Sequence, residues 1–184
     1  MGLINQFEQL NNAFLSQPFL PIQTRINLLK TIKKRLIENE QQLVAAASKD
    51  FGYRTSFDTV LGDLLPTVKA ISDTIKRLPK WTRNESRSVG LSLWPSHAHI
   101  QYQPNGVVGV IAPWNYPIQL SLVPVISALA AGNRVMLKLS EFTPHTNAQL
   151  TEIFKDELAN HCVVIEGGAD IAAAFSDIPF AHLL

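Results

Sequence analysis

The stretch Gly106-Val-Val-Gly-Val-Ile-Ala-Pro-Trp-Asn-Tyr-Pro117, continued by Arg134-Val-Met-Leu-Lys-Leu-Ser-Glu-Phe-Thr-Pro144, decides the fold. Val107, Val108, Val110 and Ile111 form an apolar β-branched run interrupted only by Gly109, the pattern of a parallel strand covered on both faces. Pro113 ends the run. Pro117 suits the first turn of a helix, where its missing N–H costs nothing, and the apolar stretch from Ile118 to Ala131 carries that helix to Gly132, a natural C′ residue. Val135 to Leu139 then reads as a second strand, closing a βαβ unit. After it, Thr143 is a good N-cap and Pro144 a good first helical residue. Two strand-to-helix turns therefore lie side by side at the carboxyl ends of parallel strands, which is where open α/β sheets bind ligands.

Three short motifs in this region, in this order and spacing, carry a resemblance. Pro113-Trp114-Asn115-Tyr116-Pro117, Ala130-Ala131-Gly132-Asn133 and Lys138-Leu139-Ser140-Glu141 are similar to motifs of the aldehyde dehydrogenase family, with Leu139 where proline is usual. Lys49-Asp50-Phe51-Gly52 and Leu78-Pro79-Lys80-Trp81 resemble the coniferyl-aldehyde dehydrogenase subgroup, and the likeness runs over nearly the whole chain. The resemblance implies an α/β fold: the N-terminal part of the family's cofactor domain, an incomplete Rossmann-like parallel sheet with N-terminal helices and a protruding β-hairpin. Residues 1–184 are thus expected to be one truncated NAD(P)-binding domain.

The implied reaction oxidises an aldehyde, aromatic and coniferaldehyde-like in the subgroup, to the acid through a thiohemiacetal and a thioester, with NAD or NADP as cofactor. Asn115 matches the asparagine whose carboxamide donates to the oxyanion; by itself, an Asn there also serves a turn. Lys138 and Glu141 match positions that hold the adenosine ribose, and alone they also read as two solvated charges at a strand end. Trp114 matches a position along the cofactor's path, though a large aromatic at a buried turn equally serves packing. The family's Phe-Thr-Gly-Ser-Thr turn is expected directly after Leu184, and its glutamate base and cysteine nucleophile further on. Cys162 precedes a buried strand, matches no catalytic motif and reads as structural. On these grounds the chain alone is expected to be inactive. A non-catalytic nucleotide-binding or subunit-interaction fragment is the alternative.

The composition of the 184 residues adds bounds rather than chemistry. A net charge of +1 and an isoelectric point near 7.9 give no reason to expect nucleic acid as a partner. No stretch reaches the roughly 18 to 20 uninterrupted apolar residues of a membrane span. One cysteine and no leader-like N-terminus fit the cytoplasm. Ile4 to Phe14 reads as a short amphipathic helix. Pro21 opens a long one ending near Phe51-Gly52, on the stripe Ile22, Ile26, Leu29, Ile32, Leu36 and Leu43. A third runs over Val60, Leu64, Val68, Ile71, Ile75 and Leu78, with Pro66 as a kink. From Ser88 to Leu93 and from Ala98 to Tyr102 apolar and polar residues alternate, which predicts a hairpin turning at Trp94-Pro95-Ser96. In the family such a ribbon joins subunits, so residues 87–104 are expected to support a homo-oligomer, a dimer. His97 and His99 have no acidic or thiol neighbours to complete a ligand set, and no metal is expected.

Overall fold

A computed structural model describes residues 2–184. Helix α1 spans Leu3–Ser16, α2 Ile22–Glu38, α3 Glu40–Phe51 and α4 Ser56–Thr59; a π-helical turn at Val60–Leu64 then leads into α5, Leu65–Trp81. A small arm follows, built from β1 (Glu85–Arg87) and β2 (Ala98–Ile100). The α/β unit then runs β3 (Val107–Ile111), α6 (Pro117–Ala130), β4 (Arg134–Lys138), α7 (Pro144–Ile153), β5 (Cys162–Ile165), α8 (Ala169–Ser176) and β6 (His182–Leu183). The four strands β5-β4-β3-β6 form one parallel sheet in that order.

Both faces of this sheet are covered, as the β-branched runs predict. Val108, Val110, Val135 and Leu137 point into the larger core, packed by α2, α3, α5 and α6 through residues such as Leu29, Ile71 and Leu122. The alternate residues Val107 and Met136 point the other way, toward Leu10 of α1 and Phe175 of α8. Gly109 lies on this second face, where an added Cβ would come within 2.6 Å of the Phe180 ring. The gap in the apolar run is therefore the space that Phe180 fills.

Gly132 takes a positive φ of 94° just past α6. A Cβ there would meet the Arg25 guanidinium at 2.8 Å, and that guanidinium donates to the carbonyls of Leu20 and Ala130. The C-terminus of α6 is thus capped by a residue of α2, an orphan carbonyl being satisfied across the fold.

Four expectations change. The long helix from Pro21 is two helices broken at Asn39, whose Nδ2 donates to the Arg35 carbonyl at 2.8 Å. Pro66 sits in the first turn of α5, and the distortion lies before it, in the π turn. Thr143 has no side-chain bond to the first turn of α7; its Oγ1 bonds to Asn147 and Ser140 instead. Asp50 takes over the cap, accepting from the N–H groups of His145 and Thr146 at 2.9 and 2.8 Å and from the Thr146 hydroxyl at 2.7 Å. Finally, the first strand of the arm is Glu85–Arg87 and not Ser88 to Leu93: Glu85 pairs with Ile100 and Arg87 with Ala98. Residues Leu91–Leu93 form a 3-10 turn. Alternation misleads here because the arm has no buried face, with Leu91 96% exposed.

Asp50 joins α3 to α7, so Asp50→Ala is expected to lower stability by about 1–2 kcal/mol, the upper range for an N-cap loss, because two backbone donors are orphaned together. Urea unfolding followed by circular dichroism measures it, and an unchanged midpoint would contradict the capping role.

Candidate active site

The two turns singled out by the sequence open at the same edge of the sheet. Ile111 stands opposite Lys138 in the β3–β4 ladder, and the N–H of Ala112 donates to the Lys138 carbonyl at 2.9 Å. The turn Ala112 to Tyr116 thus departs directly beside the strand end that carries Lys138. Ridged by Trp114, Asn115 and Tyr116 on one side and by α3, α4 and the π turn on the other, a cavity of about 530 Å³ opens there. Its walls are largely aromatic, with Phe51, Phe57 and Tyr116 prominent. Trp114 lies against Phe51 with ring centroids 6.3 Å apart, so it lines this cavity together with Asn115.

At the neighbouring strand end, Lys138 is only 2% exposed and its Nζ donates to Glu141 Oε2 at 3.1 Å. A buried ammonium requires such a partner. The Glu141 carboxyl is held below its ordinary value first by its own backbone N–H and then by Lys138. This leaves a charged, partly exposed carboxylate at the mouth of the second turn, an acceptor suited to hydroxyl donors. Lys138 and Glu141 are therefore brought together, and Asn115 stands on the adjacent turn.

The sequence reading missed the pair behind Asn115. Asp63 lies in the π turn with no exposed surface, and its Oδ2 accepts from Arg54 Nη2 at 2.9 Å. Its Oδ1 accepts from the N–H of Gln119 in the first turn of α6, at 2.9 Å. Arg54 Nη1 donates to the Asn115 carbonyl at 3.0 Å. The guanidinium stacks on Phe51 and Tyr116, 4.9 and 5.1 Å from their centroids. Gly62 makes room for this: a Cβ on it would meet Tyr116 at 2.9 Å. One signal was present in the sequence. Thr59, Asp63 and Thr67 recur every four residues beside the apolar stripe, and all three are fully buried.

Cys162, the chain's one cysteine, is buried in β5, and burial pushes its thiol well above the ordinary range. It is a core residue, as read from the sequence.

The aldehyde dehydrogenase family model matches residues 7–182. The chain belongs to the aldehyde dehydrogenase family. A probable coniferyl aldehyde dehydrogenase of Pseudomonas aeruginosa is 42% identical over 98% of this chain and 39% of its own length. The 4,4'-diaponeurosporen-aldehyde dehydrogenase of Staphylococcus aureus is 31% identical over 100% of this chain and 40% of its own length. Among solved structures, the substrate-bound state of Staphylococcus aureus AldH superposes with a TM-score of 0.92 at 30% identity, covering 100% of this chain and 40% of that one. The chain thus spans about 40% of the length of these three relatives, and matches them over the α/β unit, its N-terminal helices and the arm. Among the described residues no helix is long and apolar enough to cross a membrane.

Proposed function

We propose that this chain is the N-terminal scaffold of an NAD(P)-dependent aldehyde dehydrogenase that oxidises an aromatic, coniferaldehyde-like aldehyde to its acid in the cytoplasm. The observation that carries the reading is the adjacency of the two strand ends: Asn115 on the turn after β3, and the Lys138–Glu141 pair on the turn after β4, joined through the Ala112 to Lys138 hydrogen bond. Asn115 donates its side-chain N–H to the aldehyde oxygen as negative charge builds on it, the arrangement that stabilises such a transition state. Glu141, an acceptor kept charged at neutral pH, fits the hydroxyls of a ribose, and Lys138 offsets part of its charge toward a neighbouring phosphate. NAD(P), when bound, supplies the electron acceptor for the oxidation. Phe51, Phe57 and Tyr116 give the cavity beside Asn115 flat apolar walls that suit an aromatic ring, and the name of the Pseudomonas aeruginosa relative agrees with that preference.

The chain alone is inactive under this reading, because its one thiol is buried and held protonated. The β1–β2 arm, with Leu91 and Trp94 96% and 77% exposed, carries the subunit contacts of a homodimer.

Titration of the chain with NAD and NADP, followed by thermal unfolding, tests the nucleotide site. A ligand at a hundred times its Kd stabilises by about 2.7 kcal/mol. Stabilisation that Glu141→Ala abolishes is the expected result. No shift with either nucleotide at millimolar concentration would sink the cofactor reading, and NADH formed from benzaldehyde by the chain alone would sink the claim of inactivity.

A further inference from the structure

Asn115 projects from an irregular turn between a strand and a helix, a place where a backbone is not rigid by default. A hydrogen-bond donor aimed at a developing charge has to be held within about 0.5 Å of its productive position. What holds this turn comes from a distant part of the chain.

We propose that Arg54 and Asp63 are positioning residues for the Asn115 side chain, an inference that rests on the oxyanion role proposed above for that side chain. Two of their hydrogen bonds bracket the segment from Asn115 to Gln119, where the turn ends and α6 begins. Upstream, Arg54 Nη1 donates to the carbonyl of Asn115 itself at 3.0 Å. Downstream, Asp63 Oδ1 accepts from the N–H of Gln119 at 2.9 Å. The bracket is closed by the 2.9 Å ion pair between the two side chains. Arg54 is in turn fixed in its plane, with Phe51 and Tyr116 packed on the guanidinium at 4.9 and 5.1 Å.

Three features separate this arrangement from an ordinary stabilising contact. A buried ion pair is a poor source of stability, since desolvating both charges offsets their attraction, and well-packed apolar side chains of similar volume often serve stability as well or better. Burial does raise the Asp63 carboxyl above its ordinary value, the direction expected when desolvation outweighs the partner's charge. Second, only a planar, multi-donor cation can hold Asp63 and the Asn115 carbonyl at once while stacking on two rings; a lysine offers one point charge. Third, both backbone groups held by the pair belong to the segment 115–119, immediately around the side chain in question.

The test uses the chain itself, with nitrogen-15 labelling, and reads the side-chain amide of Asn115 by NMR; the peak is assigned through its loss in Asn115→Asp. The amides of Asn133 and Asn147, which bond to Ala128 and Ser140, serve as internal controls of the fold. In Arg54→Lys, the ion pair can persist but the contact to the Asn115 carbonyl is lost, and the Asn115 peak is expected to shift and broaden while the controls stay put. The double variant Arg54→Met/Asp63→Leu removes both charges, so that no orphaned ion weakens the fold, and the same selective loosening is expected. An Asn115 amide unchanged in Arg54→Lys, or in the double variant with its controls intact, overturns the proposal. A double variant that fails to fold leaves Arg54→Lys to decide.

Kinetics of the complete enzyme separate this inference from the reading beneath it. Arg54→Lys is expected to lower kcat by roughly 10²-fold with little change in KM, the cost of a misplacement of about 1 Å. If Asn115→Ala leaves kcat intact although Arg54→Lys loosens the amide, the oxyanion role fails and the bracket stands as a fact about the turn. If Asn115→Ala is slow but Arg54→Lys moves neither the amide nor kcat, the positioning role fails alone.

Discussion

Asp63→Ala is expected to lower the unfolding free energy at neutral pH by about 3–5 kcal/mol, the cost of removing one partner from a buried ion pair. Three losses combine. Arg54, whose side chain is 9% exposed, keeps its charge with no counter-ion; the N–H of Gln119 loses its acceptor; and a void opens inside the π turn. Folded domains are stable by only about 5–15 kcal/mol, so this single change approaches the whole margin. Equilibrium unfolding in urea measures it, and a drop under about 1 kcal/mol would mean that the pair is solvated and the turn held by something else. The pH dependence supplies an independent check. Burial, opposed by the Gln119 N–H and by Arg54, raises the Asp63 carboxyl above its ordinary value. Between the ordinary and the raised value the native state holds a proton that the unfolded chain has released, so stability falls as pH rises through that window. Asp63→Asn, which does not titrate, should flatten that decline.

In the complete enzyme that the proposed function calls for, Asn115→Ala is expected to reduce kcat by about 10²–10³-fold, the loss associated with one oxyanion donor, while KM moves little. The geometry makes this a clean experiment. Arg54 bonds to the main-chain carbonyl of residue 115, which alanine retains, and the two prolines flanking the turn are untouched. The loss then reports on the carboxamide and not on a collapsed loop. Steady-state formation of NADH from an aromatic aldehyde gives the number. A kcat near the parent's would remove Asn115 from the chemistry and reduce it to a turn residue.

The β3-α6-β4 unit could be read from the sequence because each of its boundaries is marked by a residue with one dominant use: Pro113 and Pro117 at the turn, Gly132 at the helix end, Thr143-Pro144 before the next helix. The break at Asn39 carries no such mark. Neither glycine nor proline stands there, and the apolar positions Ile32, Leu36 and Leu43 keep step across it, so a 3.6-residue period runs straight through a real interruption. The first strand of the arm was misplaced for the opposite reason. Val89, Leu91 and Leu93 alternate convincingly, yet the ladder forms between Glu85–Arg87 and Ala98–Ile100, where Glu85 accepts from the Tyr102 hydroxyl and from Arg87. Alternation predicts a strand only where one face has something to bury.

The site divides along the same line. Asn115, Lys138 and Glu141 sit at strand ends, whose place in a parallel sheet follows from topology. Arg54 and Asp63 reach the site across 61 and 56 positions of sequence, from a segment whose local pattern is that of a packing helix. Nothing in the spacing of a single chain announces a contact of that range. Only the polar column Thr59, Asp63, Thr67 hinted at it, and one buried acid in the middle of such a column is a signal that asks for a cation elsewhere.

The wide turn at Val60–Leu64 sets an angular phase between what precedes it and α5. Such a bulge commonly marks one residue more than a regular helix would hold. Because the wider turn already takes up that extra residue, deleting one from the regular turn Ser56–Thr59 before it would swing the preceding segment by roughly 100° about the axis, given 3.6 residues per turn. Ile71 and Leu78 would keep their seats while the arginine upstream swept to the wrong side. Loop-trimming libraries should therefore yield, at this one locus, proteins that have lost their aim together with the Arg54–Asp63 pair.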